Sequence, residues 1–389
     1  MSTKIVENNF LKYCGSNFLK QRLLLSVLSA KPVKIVDIRS KSDEAFGLRE
    51  YEINLIRLLD KLTNGTKIEI NPAGTAIMFM PGLLHGGQID HECCVQRGIG
   101  YYLDVLIALG PFCKFPLNVK LSGVTESSDS PSVDHIKVGA LTVLKRFLTV
   151  DEGLELKIIK RGLSPLGGGI VVFKCPIRKT LRSIQFTQQG MVKRIRGTAY
   201  VCKVSPSLGN RAIETAKGVM LKFLPDVYIY ADASHGKMSG NVPGYGICLH
   251  AETTEGVCFM AQANSHIKGE VGKEPSTPED IGEKAAMRLL DEIYRGGCCD
   301  STYQWLAALF MSLGQKHVSK FMTGPLSSYT VHFLRHLRDF FSITFKLENL
   351  EPEDEDEDEV EDDSLPPGAQ KVLLTCVGIG YCNISRRVI

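Results

Sequence analysis

RGLSPLGGGIVVF, running from Arg161 to Phe173, is the stretch on which the reading of this chain turns. Glycine loses more backbone entropy on folding than any other residue, so the consecutive glycines Gly167 to Gly169 mark a place where bare backbone is needed. The β-branched and aromatic run Ile170, Val171, Val172, Phe173 predicts a buried strand entered from that loop. Exposed amides there can approach a phosphate or another stretch of chain, with Pro165 stiffening the approach and Arg161 adding positive charge. A tight turn between two strands is the plainer alternative.

Upstream of the loop, Glu155 to Ile159 reads as the strand paired with Ile170 to Phe173. Before it come an apolar helix over 98–110, a strand from Leu117 to Leu121 and a helix from Val133 to Phe147. The same order occurs nearer the start. A helix around Asn17 to Ala30 is ended by Pro32, and the strand Val33 to Ile38, the helix Leu48 to Leu62 and the paired strands Lys67 to Ile70 and Thr75 to Met80 follow. A third copy opens with a strand near Thr180 to Phe186, but its matching helices, Asp280 to Tyr294 and Ser301 to Leu313, arrive only after a long intervening stretch.

That stretch, 187–278, predicts an inserted small α/β domain: strand Arg194 to Val204, helix Gly209 to Phe223, and strands Val227 to Asp232, Gly246 to Glu252 and Val257 to Ala263. Gly269 to Pro278 reads as its exit linker, and Thr277 as the cap of the helix beyond. The large domain is then expected over 1–186, 279–348 and 370–389, with a helix from Tyr329 to Phe341, an acidic disordered loop over 349–369 and a terminal strand from Lys371 to Tyr381. The fold class is α/β with α+β character.

Composition sets outer limits. A chain of 389 residues with 44% apolar and 23% charged residues is ordinary for a globular protein with two domains. No apolar run reaches the ~18 residues of a membrane span, and the polar start MSTKIVENNF lacks a secretory signal, so an intracellular protein without a membrane partner is expected. Its twelve cysteines are then expected as thiols. None shows the two-residue gap that grips zinc, and the densest group, His85, His91, Cys93 and Cys94, lacks ligand spacing, so no metal is expected. The net charge of +3 conceals a split, because residues 351–363 carry eleven acidic residues and no basic one. The remaining body is cationic, which suits a polyanionic partner as well as it suits solubility.

The motif Arg161, Gly162, Pro165 and Gly167 to Gly169 resembles the signature of the RNA 3′-terminal phosphate cyclases. IRSK followed by GLRE within Ile38 to Glu50, and GEKAAMRLLDEIYRGGCCDS from Gly282 to Ser301, are similar to further family segments. The ending TCVGIGYCNIS looks like the nucleolar cyclase-like branch. The resemblance implies a large domain of three two-helix, four-stranded repeats with a small α/β domain inserted in the third. In active members it also implies ATP-dependent adenylation of a histidine and closure of an RNA 2′,3′-cyclic phosphate.

That chemistry does not carry over. After Gly296 and Gly297 the chain reads Cys298, Cys299, Asp300, Ser301, Thr302, so Thr302, or at most Ser301, stands where the histidine nucleophile belongs. A hydroxyl cannot replace imidazole without a base beside it. The nucleotide-holding positions depart as well, with Tyr13, Cys14, Gly15, Ser16, Asn17 and Lys20 near the start and Tyr51 and Glu52 after the GLRE element. No catalytic residue and no cofactor are therefore expected.

Three readings remain open. In the first, a non-cyclase member works in ribosome biogenesis as an RNA- and protein-binding factor. The resemblance implies a place in the nucleolar small-subunit processome, with pre-ribosomal RNA and a large ribosome-assembly GTPase as partners. Arg161 with the amides of Gly167, Gly168 and Gly169, then Lys193, Arg194, Arg196, Arg335 and Arg338, are the phosphate-contact candidates. In the second, the protein is an endonuclease on pre-rRNA, for which Arg335, His336, Arg338 and Asp339 form the compact set, although an outward charged helix face explains them equally. In the third, it is an active or nucleotide-binding cyclase.

Overall fold

The computed structural model describes residues 10–42, 46–234, 236, 239–265, 276–350 and 368–383. The expected acidic loop falls largely on 351–367, outside the described residues.

The first sheet holds β1 (Leu11–Cys14), β2 (Val33–Val36), β5 (Ile77–Met80) and β4 (Lys67–Ile70), in that spatial order. β1 runs parallel to β2 and the other pairs are antiparallel. Alternation fixes its inner face, with Val33, Ile35, Ile77 and Phe79 buried. That face meets α1 (Leu19–Ser29) and lies beside α2 (Glu50–Leu62), after which β3 (Thr63–Asn64) pairs with β6 (Leu83–Leu84).

A second sheet repeats the strand order with β7 (Gly86–Glu92), β8 (Phe115–Gly123), β10 (Gly169–Cys175) and β9 (Glu155–Lys160). Again the first pair is parallel and the rest antiparallel. Its helices are α3 (Gly100–Leu109) and α4 (Val133–Phe147), the latter started by Ser132, whose side chain accepts from the His135 amide.

A third sheet has the same pattern in β11 (Gln185–Phe186), β16 (Val318–Thr323), β18 (Lys371–Val377) and β17 (Lys346–Leu350). Its helices are α7 (Gln304–Leu313) and α8 (Ser328–Phe341). The expected strand Thr180 to Phe186 shrinks to the two residues of β11.

Between β11 and β16 the chain builds a fourth sheet, ordered β13 (Val227–Ser234), β12 (Val192–Cys202), β14 (Gly244–Thr253) and β15 (Cys258–Asn264). α5 (Pro206–Met220) and α6 (Pro278–Arg295) pack against it. Thr277 caps α6 as expected, accepting from the Asp280 amide. The expected boundary at 278 leaves α6 with the large domain, yet its buried stripe, Ile281, Ala285 and Leu289, belongs to a helix that lies on α5, β14 and β15. Gly282 permits the crossing, because a Cβ there would sit 2.4 Å from the carbonyl oxygen of Ala212.

The core is continuous from the first sheet to the fourth, and α1 is buried along almost its whole length against α8 and α3. Among the described residues no helix is long and apolar enough to cross a membrane.

Candidate nucleic-acid interface

Arg161 follows β9 where the second sheet meets the fourth, and three carboxylates from separate elements converge on it. Its Nη1 donates to Glu126 Oε1 at 2.9 Å and to Asp134 Oδ2 at 2.6 Å, and its Nε donates to Asp232 Oδ2 at 2.7 Å. Burial alone pulls the guanidinium's pKa down; Asp134 and Glu126 reverse this and hold it well above its ordinary value. Glu126 goes the other way. Its complete burial pushes the carboxyl up to about 8, against the lowering pull of Arg161, and its Oε2 has no hydrogen-bond partner.

The glycine loop is pressed against other backbone. Gly167 and Gly168 take φ values of +60° and +80°, a region that side chains disfavour. A Cβ on Gly167 would lie 2.7 Å from the Gly123 carbonyl carbon, and one on Gly168 would lie 2.8 Å from the Asn241 side chain. The Gly167 amide donates to Leu163 O, and the Asn241 amide donates to Gly167 O at 3.0 Å. Of the two uses read from the sequence, close approach of another stretch of chain is the one seen, and it joins the loop to Asn241, just ahead of β14.

The remaining phosphate candidates divide. Arg196 makes a bidentate pair with Asp226, and Lys193 and Arg194 share Glu252. Arg335 is exposed with no partner among the described residues, while Arg338 stands 4.0 Å from its neighbour Asp339. The compact set expected on α8 does not assemble on one face. His336 is buried, its Nδ1 2.8 Å from Gln21 Oε1 and its Nε2 facing the Arg22 guanidinium, and burial lowers its pKa to about 4. Asp339 accepts from the Tyr13 hydroxyl at 3.0 Å.

Where the resemblance led a nucleophile to be expected, Ser301 Oγ donates to Glu292 Oε1 at 2.8 Å, and the Thr302 amide donates to Asp300 Oδ1 at 2.9 Å. Neither hydroxyl has an imidazole hydrogen-bonded to it among the described residues. Sequence reasoning missed His135. It projects from the first turn of α4 to place Nε2 3.5 Å from Asp300 Oδ1, and nothing in the sequence pattern of an apolar helix marks it out.

The positions near the start form a self-paired cleft. Lys20 donates to Asp104 at 2.7 Å and lies 4.8 Å from the Tyr101 ring centroid. Arg39 grips both oxygens of Glu52 at 2.8 and 2.6 Å, and the Arg97 guanidinium covers the Tyr51 ring at 4.8 Å. Cys14 donates to Asp37. Among the described residues no group of three or more histidine, cysteine or acidic side chains is arranged to hold a metal.

Fold and site together define a mixed α/β protein in which a glycine loop and Arg161 tie the second sheet to the fourth. The family model described as RNA 3′-terminal phosphate cyclase matches residues 11–347, and the chain belongs to this family. It is 71% identical over 383 residues to a probable RNA 3′-terminal phosphate cyclase-like protein of Drosophila melanogaster, covering 98% of each chain. The human RNA 3′-terminal phosphate cyclase-like protein is 51% identical, with 97% of each chain covered. A Schizosaccharomyces pombe protein named rRNA processing protein rcl1 is 38% identical over 97% of this chain and 98% of its own.

Proposed function

We propose that the protein is a non-cyclase member of this family that acts in ribosome biogenesis, binding pre-ribosomal RNA and protein during small-subunit rRNA processing. Its place is the nucleolar small-subunit processome, beside a large ribosome-assembly GTPase. The fold is read as three repeats of one two-helix, four-stranded unit. The insertion in the third repeat runs from 187 through α6 to residue 295.

The name of the fission-yeast relative supports the rRNA setting. The loss of cyclase chemistry rests on Ser301 and Thr302, which hydrogen-bond to Glu292 and Asp300 in place of presenting a nitrogen nucleophile. The neighbouring cleft agrees with this, because Lys20 and Arg39 are engaged by Asp104 and Glu52 and do not await a nucleotide's phosphates.

Incubating the purified chain with labelled ATP, magnesium and a 3′-phosphate RNA should yield neither covalent adenylate nor cyclised ends. Adenylate on any residue overturns the loss of chemistry. Depleting the protein from cells should make unprocessed small-subunit rRNA precursors accumulate, and normal processing in depleted cells overturns the proposed role.

A further inference from the structure

Two sheet edges face each other where the inserted unit meets the second sheet. β9 is the outer strand of its sheet and β13 the outer strand of the inserted one. Between them lies a cavity of about 310 Å³ lined by Asp134, Lys137, Lys157, Lys160, Arg161, Asp232 and other residues of the two edges. Its carboxylates are taken, because Asp134 and Asp232 both bind Arg161. Its lysines are free. Lys137 and Lys157 are exposed, Lys160 is half-buried, and none has an acidic partner among the described residues. The cavity therefore keeps an excess of positive charge that the fold does not use.

Strand geometry continues the surface away from the cavity. Successive side chains of a strand alternate in direction, so Tyr228 and Tyr230 share the face of Asp232. The two tyrosines are 50% and 57% exposed, and their centroids are 4.5 Å apart at an interplanar angle of 74°. Lys217 of α5 reaches to 5.9 Å of the Tyr228 ring centroid. α5 packs against β13, and Ile229, on the side opposite the tyrosines, is buried.

We infer that this surface is a single-stranded RNA site, in which unpaired bases stack on Tyr228 and Tyr230 while the adjoining phosphates enter the lysine-lined cavity. Exposed aromatic rings beside a cationic groove are what single strands require, since a π-face accepts any base and lysines follow the backbone without reading sequence. A duplex keeps its bases stacked on one another and cannot offer them to the rings. The site rests on the proposed RNA-binding role and gives it a location distinct from the glycine loop and from α8.

The test is fluorescence anisotropy of the full chain with a labelled single-stranded oligoribonucleotide and its duplex, over a range of salt. The intact chain should prefer the single strand. Tyr228→Ala and Tyr230→Ala together should weaken it by tenfold or more, and Tyr→Phe at both positions should restore it. Lys157→Ala with Lys160→Ala should weaken binding and lower the slope of log affinity against log salt by about 1.4, since each phosphate neutralised on a single strand adds about 0.7 to it. Photocrosslinking should map to Tyr228 or Tyr230. If the chain binds RNA but these substitutions change nothing and crosslinks fall elsewhere, the site is wrong and the RNA role stands. If the intact chain binds no RNA, both fall. Equal affinity for duplex and single strand overturns the stacking.

Discussion

The cleft near the N-terminus and the edge between β9 and β13 are both rich in cations, yet they are organised in opposite ways. In the cleft, Lys20 is bound by Asp104 and Arg39 by Glu52, each within the chain. At the edge, Arg161 absorbs the acidic groups and leaves Lys137, Lys157 and Lys160 without acidic partners among the described residues. A cation already bonded to its own protein contributes to the fold. An unpaired one beside a cavity is available to an outside anion. Counting charges in the sequence cannot separate the two, because the difference lies in where the carboxylates fall.

The strongest challenge to this contrast is Arg161→Met. Removing the guanidinium leaves Asp134 and Asp232 without their partner and takes the hydrogen-bond donor from buried Glu126, and should cost about 3 kcal/mol in denaturant unfolding. A loss under about 1 kcal/mol would mean that the arginine is not what closes the site. In the cleft, Lys20→Met alone leaves Asp104 buried and uncompensated and should cost about 3 kcal/mol, whereas adding Asp104→Leu should recover most of it. A double variant as unstable as the single one would show that the pair is held for packing.

A smaller effect sharpens the same contrast through pH. Glu126 has its folded pKa raised to about 8, so the folded state holds a proton that the unfolded state releases. Its contribution is complete below the unfolded value and is lost as pH rises toward 8. His91, His250 and His336, lowered to about 4 by burial, oppose folding only below their unfolded value of about 6.5. Between about pH 6.5 and 8 the melting temperature should therefore fall, and Glu126→Gln should flatten the curve. An unchanged slope in the variant would assign the pH dependence elsewhere. Least of all should happen with Arg335→Ala and Arg338→Ala, exposed residues whose loss should change stability by under about 0.5 kcal/mol in thermal melts.

Much of the fold is legible from local pattern. The helix expected from Val133 to Phe147 forms over those residues, because a serine cap and a regular apolar face agree there. The strands on either side of the glycine loop pair as expected, and the pairing is antiparallel. β7 escaped because GGQIDHE is an outer strand with glycine and charge in place of an apolar run, and only its partner β8 gives it a place. The site was far less legible. The glycine signature marks Arg161, but Glu126, Asp134 and Asp232 lie 35, 27 and 71 residues from it, and no short-range spacing foretells their meeting. His336 misled for a related reason: its helix exposes Arg335 and Arg338, while the imidazole turns inward to Gln21.

The burial of α1 against α8 has a consequence for how the protein is made. Gln21 meets His336, 315 residues further on, and Tyr13 meets Asp339 across 326 residues. At elongation rates of about 5–20 residues per second, the apolar first helix leaves the ribosome roughly 15–60 seconds before its partner is synthesised. Through that interval α3 and the first sheet can cover part of α1, while the side that carries Gln21 and Arg22 waits for α8.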